Sequence, residues 1–443
     1  VIRVLWGGAA PFFRGTTAVH DLVDELDEYA REQEAEIFDA EGPRELVENV
    51  FRGCPTEFAV EIAPKMAPAI VGPFAGYVLE QLTPGADTTL VETAARGNEE
   101  EVGTRMTLAL GDLADITRET PAVEQAILDG RSYAEIRAID GSETFVGRFE
   151  AFLDEFGHRA AREFDLSRSR WRDDPSGPLG IVRGNLVGEK PGAHRERLRE
   201  RNREARAAID GLQERARDGL LGPVRGPLVS RFLRTYRSYV HLRDEPKHAV
   251  AHLFAAWHEA LQRTGEHLVH EGALDNADDV WYLHRGELLS LVDDPGSELP
   301  DIAARKREHR RQERIEAPPI ITSEGEIPPA EREDVGENSL VGTGISSGVV
   351  EGTARIVRDP ANTTLRAGDI PVCPSSDPAW TPLFATASGL ITEVGGSLTH
   401  GALVAREYGL PAVASVTGAT EKIIDGQRIR VDGDNGTVEF LDG

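Results

Sequence analysis

Lysine is almost missing from this chain. Only five lysines (Lys65, Lys190, Lys247, Lys306, Lys422) stand among 49 basic residues, against 76 acids, and the 443 residues carry a formal charge of −27. An acid excess of that size repels phosphate backbones and anionic lipid surfaces, so neither nucleic acid nor membrane is an expected partner. Scarce lysine with surplus carboxylate is the composition of a protein adapted to concentrated salt, which screens the self-repulsion. Cysteine is scarcer still. Cys54 and Cys373 alone exclude a disulfide scaffold and a thiolate zinc site. No apolar run approaches the ~20 residues of a transmembrane helix. The opening Val1-Ile2-Arg3-Val4-Leu5-Trp6 is too short for a signal peptide, so a cytoplasmic protein is expected. What remains is ample: the length suits two or three domains, and a 40% hydrophobic content supplies their cores.

Residues 1–318 are expected to be mostly helical. Val19, Leu22, Val23, Leu26 and Ala30 follow the i, i+3, i+4 stripe of an amphipathic helix, as do Leu228 to Val240 and Val250 to Leu261. Residues 194–217 are dense in Arg and Glu around Leu198, Ala205, Ile209 and Leu212, which predicts a long, solvent-laced helix. Between about 318 and 338, Pro318, Pro319, Pro328 and Pro329 sit among acids and predict an extended, semi-rigid linker. Beyond it the pattern turns β-rich. Strands are expected at 349–350, 354–357, 370–372 and 389–391, with a closing hairpin of 428–431 and 437–440 and one helix over 399–408. The expected architecture is multidomain, α and then α/β: a large, mostly α-helical domain over 1–318, a Pro-rich hinge over 319–338 and a small α/β domain over 339–443.

Chemistry concentrates in the stretch from Thr392 to Val413. A strand runs into the pair Gly395-Gly396, and a helix opens at Thr399-His400. Two glycines let the backbone approach a bulky group. A helix N-terminus offers N–H donors and positive potential, which suits a phosphoryl group. Thr399 is placed to cap the helix or to bond a phosphoryl oxygen. From the residues alone, His400 is either a nucleophile beside that pocket or a buried turn histidine.

Thr392, Gly395-Gly396, Thr399-His400, Ala405-Arg406-Glu407, Gly409 and Pro411-Ala412-Val413 match in register the signature of the swivelling phosphohistidine domain of phosphoenolpyruvate-utilising enzymes. The resemblance implies a β/β/α mobile domain in which His400 carries a phosphoryl group between distant sites, supported by Gly395, Gly396 and Thr399. The segment from Asp377 to Phe384 also resembles that family. Asp377 there either orients His400 or makes an Asx turn before Pro378.

Further motifs are similar to the helical domain of rifampicin phosphotransferases: Phe156-Gly157-His158-Arg159, Glu163-Phe164-Asp165-Leu166, Trp171 to Pro175, Leu242 to Glu245 and Asp278 to Leu283. The resemblance implies a paired-acceptor phosphotransferase. An ATP-grasp domain, with ATP and Mg2+, supplies the β-phosphoryl group and releases AMP and phosphate; the helical domain binds a small hydroxyl acceptor. No convincing Gly-rich nucleotide loop precedes residue 100, so the ATP-grasp domain is expected outside this sequence, and no cofactor is expected on the chain itself. The alternative is a phosphocarrier or regulatory subunit without turnover, acting with a separate ATP-grasp protein.

Transfer to an acceptor needs cations on the moving group and an orienting acid or base. Arg243 and Lys247 stand four apart, as phosphate ligands or as cations of a structural salt bridge with acidic neighbours. His158, Arg159, Glu163 and Asp165 gather acid, base and cation, either for the acceptor or as a buried ionic network. His248 and His252 have metal-pair spacing but no third ligand nearby in sequence, so no metal is expected.

Overall fold

The computed structural model describes residues 17–52, 71–99, 101–188, 190–239, 245–315, 321–326, 338–358, 363, 365–366, 368–376, 380–381, 382–384, 386–396 and 399–441. Of the residues expected to act, Asp377 and Arg243 lie outside these, as do Cys54 and much of the Pro-rich segment.

The helices of the first region are α1 (Thr17–Phe38), α2 (Pro43–Arg52), α3 (Val71–Leu82), α4 (Thr88–Ala95), α5 (Val102–Thr117), α6 (Pro121–Leu128), α7 (Tyr133–Arg137), α8 (Glu143–Phe156), α9 (Ser176–Gly188), α10 (Ala193–Arg217), α11 (Gly222–Tyr239), α12 (Glu245–His270), α13 (Arg285–Asp293) and α14 (Ile302–Gln312). They pack around three apolar cores. One joins α1, α2, α12 and α13 through Leu26, Val47, Leu253, Trp257 and Leu288. Another joins α5, α6, α8 and α9, and a third joins α3, α4, α10 and α11.

Local sequence explains these helices. In α10, Leu198, Ala205 and Leu212 are buried at seven-residue steps, so two turns at a time return an apolar side chain to the core while Arg and Glu face outward. In α8, Phe145, Phe149, Phe152 and Phe156 fall on one face. Their rings form a ladder with centroids 5.5, 6.1 and 5.2 Å apart. That ladder fixes the C-terminal end of α8 and so the place where His158 leaves it. Pro246 occupies the first turn of α12, where its missing N–H costs nothing.

The second region is one eight-stranded mixed sheet: β1 (Ser339–Val341), β2 (Thr343–Ser346), β3 (Val349–Ile356), β4 (Asp369–Cys373), β5 (Leu390–Thr392), β6 (Ala412–Ala414), β7 (Arg428–Asp432) and β8 (Thr437–Phe440). Its order is β1-β8-β7-β3-β4-β5-β6-β2. The two expected strands at 349–350 and 354–357 are one strand, β3, because β7 pairs along it from Val349 to Thr353. Short helices α15 (Thr381–Phe384), α16 (His400–Tyr408) and α17 (Ala419–Lys422) complete it. Alternate residues feed opposite faces: Cys373, Leu390, Ala412 and Ala414 join one core with α15 and α16, while Val372, Ile391 and Val413 join the other with α17. Strands β3 to β6 run parallel. The loops that follow β4 and β5 therefore leave the same end of the sheet, the end where open α/β sheets place their sites.

Candidate functional site

His400 opens α16, with Thr399 as its extended N-cap residue. The imidazole is 6% exposed, and its Nε2 lies 2.8 Å from Thr381 Oγ1 at the start of α15. Thr399 does not cap through its side chain: Oγ1 donates 2.8 Å back to the Gly396 carbonyl, which tightens the glycine turn and leaves the first-turn N–H groups of α16 unbonded by the cap. The side chain is thus a brace for the loop, a correction to its expected role as a cap.

Gly395 has φ of 154°, and a Cβ there would press on Thr392 Oγ1 at 3.2 Å. At Gly396 a Cβ would meet nothing within 4 Å, so this glycine faces open space beside the helix start. Three further braces were not legible in the sequence. Ser415, itself at φ 58°, donates from Oγ to the Gly395 carbonyl at 2.6 Å. The Glu393 carboxylate accepts from Thr420 N at 2.7 Å and Thr420 Oγ1 at 2.8 Å. At Gly401 a Cβ would stand 2.5 Å from Ser376 Oγ, so a side chain there would push that hydroxyl aside where α16 meets the loop after β4.

The residues after His400 hold the sheet domain against the helices. Arg96 Nε donates to the Arg406 carbonyl at 2.8 Å, and Arg406 pairs with Glu92 at 3.5 Å. Thr104 Oγ1 donates to Glu407 at 2.7 Å, and Tyr408 OH meets Thr107 Oγ1 at 3.0 Å with Arg201 over its ring at 4.5 Å. Burial raises the Tyr408 phenol above its ordinary range, so it stays a neutral hydrogen-bonding group. Thr381 lies at the N-terminus of α5, where a Cβ on Gly103 would stand 3.1 Å from its methyl group. The Glu101 side chain caps that helix, accepting from Gly103 N and Thr104 N.

On the helical side, Arg159 Nε and Glu163 Oε1 pair at 2.7 Å with both side chains 1% exposed. Arg170, equally buried, donates to the Glu163 carbonyl at 2.8 Å; sequence reading missed it because its partners are backbone oxygens. Asp165 does not join them. It accepts from Ser167 and Arg168 at the surface. Lys247 is half-buried in the first turn of α12. His158, 1% exposed, meets His248 and His252 of α12: its ring stacks on His252 at 3.5 Å and stands edge-on to His248 at 4.5 Å. Burial, reinforced by neighbouring Arg159 and Arg172, holds the His252 imidazole down to about 4. Burial and adjacent positive groups hold His158 and His248 well below the ordinary imidazole range. The missing third ligand, on which a metal was set aside, is therefore present in space, and the expectation of no metal loses its ground.

Two family models match this chain: the rifampicin phosphotransferase fourth domain over residues 61–244 and the mobile domain of phosphoenolpyruvate-utilising enzymes over 365–436. The chain is 35% identical over 348 residues to a rifampicin phosphotransferase of Bacillus cereus, covering 77% of this chain and 40% of that protein. It is 36% identical to one of Streptomyces sviceus, covering 80% and 41%. The chain belongs to the rifampicin phosphotransferase-like family. Similarity extends at 28% identity to the prodigiosin synthesizing transferase of Serratia marcescens, over 75% of this chain and 38% of that protein. The chain spans about two fifths of the length of the curated relatives it matches.

The two matched segments fall on the two regions of the fold. The mobile-domain segment holds Thr381, His400, Ser415 and Thr420, and the fourth-domain segment holds His158, Arg159, Glu163 and the α4 and α5 residues on which α16 docks. Lys247, His248 and His252 lie just beyond the latter. No helix among the described residues is long and apolar enough to cross a membrane.

Proposed function

We propose that this chain is the acceptor-binding and phosphohistidine part of a cytoplasmic phosphotransferase. His400 takes a phosphoryl group from an ATP-grasp domain, on this polypeptide or another, and passes it to the hydroxyl of a small molecule bound by the helical domain. The observation that carries this reading is the setting of His400: an imidazole at a helix N-terminus, beside an open glycine, in a domain docked on the helical region by the residues that follow it. A ring nitrogen attacks the phosphorus in line as that phosphorus parts from its leaving oxygen, with AMP and phosphate released on the donor side. The N–H groups at the start of α16 stabilise charge growing on the phosphoryl oxygens. No other histidine occurs in 339–443 to take the group instead. The Pro-rich segment near 319–338 acts as the hinge between donor and acceptor positions.

On the acceptor side, Lys247 and Arg243 provide cations for the moving group, while Arg159 is buried and paired with Glu163. Asp165 serves its own turn. ATP and Mg2+ belong to the ATP-grasp partner. The one cluster of three ligands among the described residues is three imidazoles, which does not suit Mg2+, an ion that takes oxygen ligands.

The test mixes the chain with the ATP-grasp domain of a rifampicin phosphotransferase, β-labelled ATP, molar salt and hydroxyl acceptors including rifampicin. Acid-labile, base-stable label on the wild-type chain and none on His400→Ala is expected. Full transfer by His400→Ala would overturn the mechanism.

A further inference from the structure

We propose that His158, His248 and His252 form a binding site for a divalent transition metal ion, zinc by its ligand chemistry, where the loop after α8 meets the first turns of α12. This stands apart from the phosphocarrier reading, because it uses no residue of the sheet domain.

The three side chains offer one ring nitrogen each, all within 4.8 Å of one another. A tetrahedral zinc with bonds of about 2.0–2.1 Å holds its nitrogens roughly 3.3 Å apart. Closing the cluster therefore takes a contraction of roughly 1.5 Å, within the broad torsional range of an imidazole about its last bond. His248 and His252 are one helical turn apart on α12, and the Phe ladder of α8 delivers His158 opposite them.

His158 is the decisive member. It is 1% exposed, and neither ring nitrogen has a hydrogen-bond partner. A buried polar group left so is destabilising, and a bound ion relieves that at one nitrogen. The nearby cations do not forbid an ion. Arg159 is paired with Glu163 at 2.7 Å, Arg105 with Glu155 at 3.5 Å and Arg172 with Glu259 at 3.9 Å. The long 3.5 Å contact from Arg159 Nη1 to His248 Nδ1 is the one that an ion at that nitrogen displaces.

Imidazole ligands suit zinc, copper, nickel or iron rather than calcium or magnesium. Three of them leave a fourth position, as in zinc sites that take a water or ligand oxygen.

The experiment titrates the full chain, stripped of metal, with Zn2+ and Co2+. One equivalent bound, with the visible ligand-field absorption of tetrahedral Co2+, is expected. His252→Ala, at a half-buried position, should weaken binding at least about tenfold, comparable to losses from disturbing metal sites. His158→Ala should do the same, and the exposed His270→Ala should change nothing. Circular dichroism checks folding; if His158→Ala fails to fold, His252→Ala decides. Absence of stoichiometric binding, or equal affinity in a folded His252→Ala, would overturn the site.

Discussion

Thr381 Oγ1 sits 2.8 Å from Nε2 of His400, joining the first residues of two helices that follow neighbouring parallel strands. The hydroxyl fixes the ring's orientation and competes for the nitrogen it touches. Thr381→Val keeps the volume and removes the bond. Loading of His400 with phosphate should fall several-fold in the variant, and Thr381→Ser should restore it. The stability change should stay near the ~1 kcal/mol of one hydrogen bond. Equal loading in wild type and Thr381→Val would show that the contact is incidental to carriage.

The shape of the histidine loop was legible because its parts are local: the glycines, the N-cap position and the histidine fall within six residues, 395–400. Its braces were not. Ser415 and Thr420 reach the loop from beyond β6, and Thr381 from beyond β4, so only the sheet's parallel order brings them in. Strands β1, β2 and β6 escaped notice because they are short and carry Ser, Gly or Ala where the equally short β5 and β8 carry the β-branched and aromatic residues that mark a strand. Asp165 misled for the opposite reason. It is near Glu163 in sequence, but Glu163 is buried in the core while Asp165 faces solvent and spends its carboxylate on Ser167 and Arg168. His158 lies some ninety residues from His248, so spacing alone offers no sign that they meet.

Docking of the sheet domain should be tunable at Tyr408. Its hydroxyl meets Thr107 and its ring carries Arg201. Tyr408→Phe removes one hydrogen bond, about 1 kcal/mol, or roughly a fivefold shift toward the undocked form. Tyr408→Ala also removes the ring and should shift it further. Small-angle scattering and the rate of proteolysis at 321–326 report the opened population. Unchanged scattering and cleavage in Tyr408→Ala would mean that other contacts hold the interface.

The Arg159–Glu163 pair should be costly to break from one side. Both side chains are 1% exposed, so Glu163→Ala strands a guanidinium away from water. A loss of about 3–5 kcal/mol is expected. Glu163→Gln, which retains shape and a carbonyl oxygen, should lose less. Urea unfolding measures both. A loss below ~1 kcal/mol for Glu163→Ala would mean that Arg159 finds another partner, and with it the freedom to serve an acceptor.

Acid should erase the contribution of Glu287. Its carboxylate accepts from Arg305 at 2.6 and 2.7 Å and from the His284 backbone N at 2.7 Å, tying the start of α13 to α14. These bonds favour the charged form, and the Arg305 guanidinium holds the carboxyl down to about 2 from an ordinary 4.5. The folded-state value lies below the unfolded one, so the unfolded chain takes up the proton first as acid is added. The stabilisation is therefore complete above about pH 5 and fades as pH falls through the range from about 4.5 to about 2. Other carboxylates titrate in the same range, so the informative quantity is the stability difference between wild type and Glu287→Gln, which removes this group alone. Urea unfolding of both in molar salt, at steps from neutral pH downward, should give a constant difference that narrows below about pH 4.5. A difference that stays the same down to pH 2 would mean that the bonds to Arg305 and His284 do not favour the charged form.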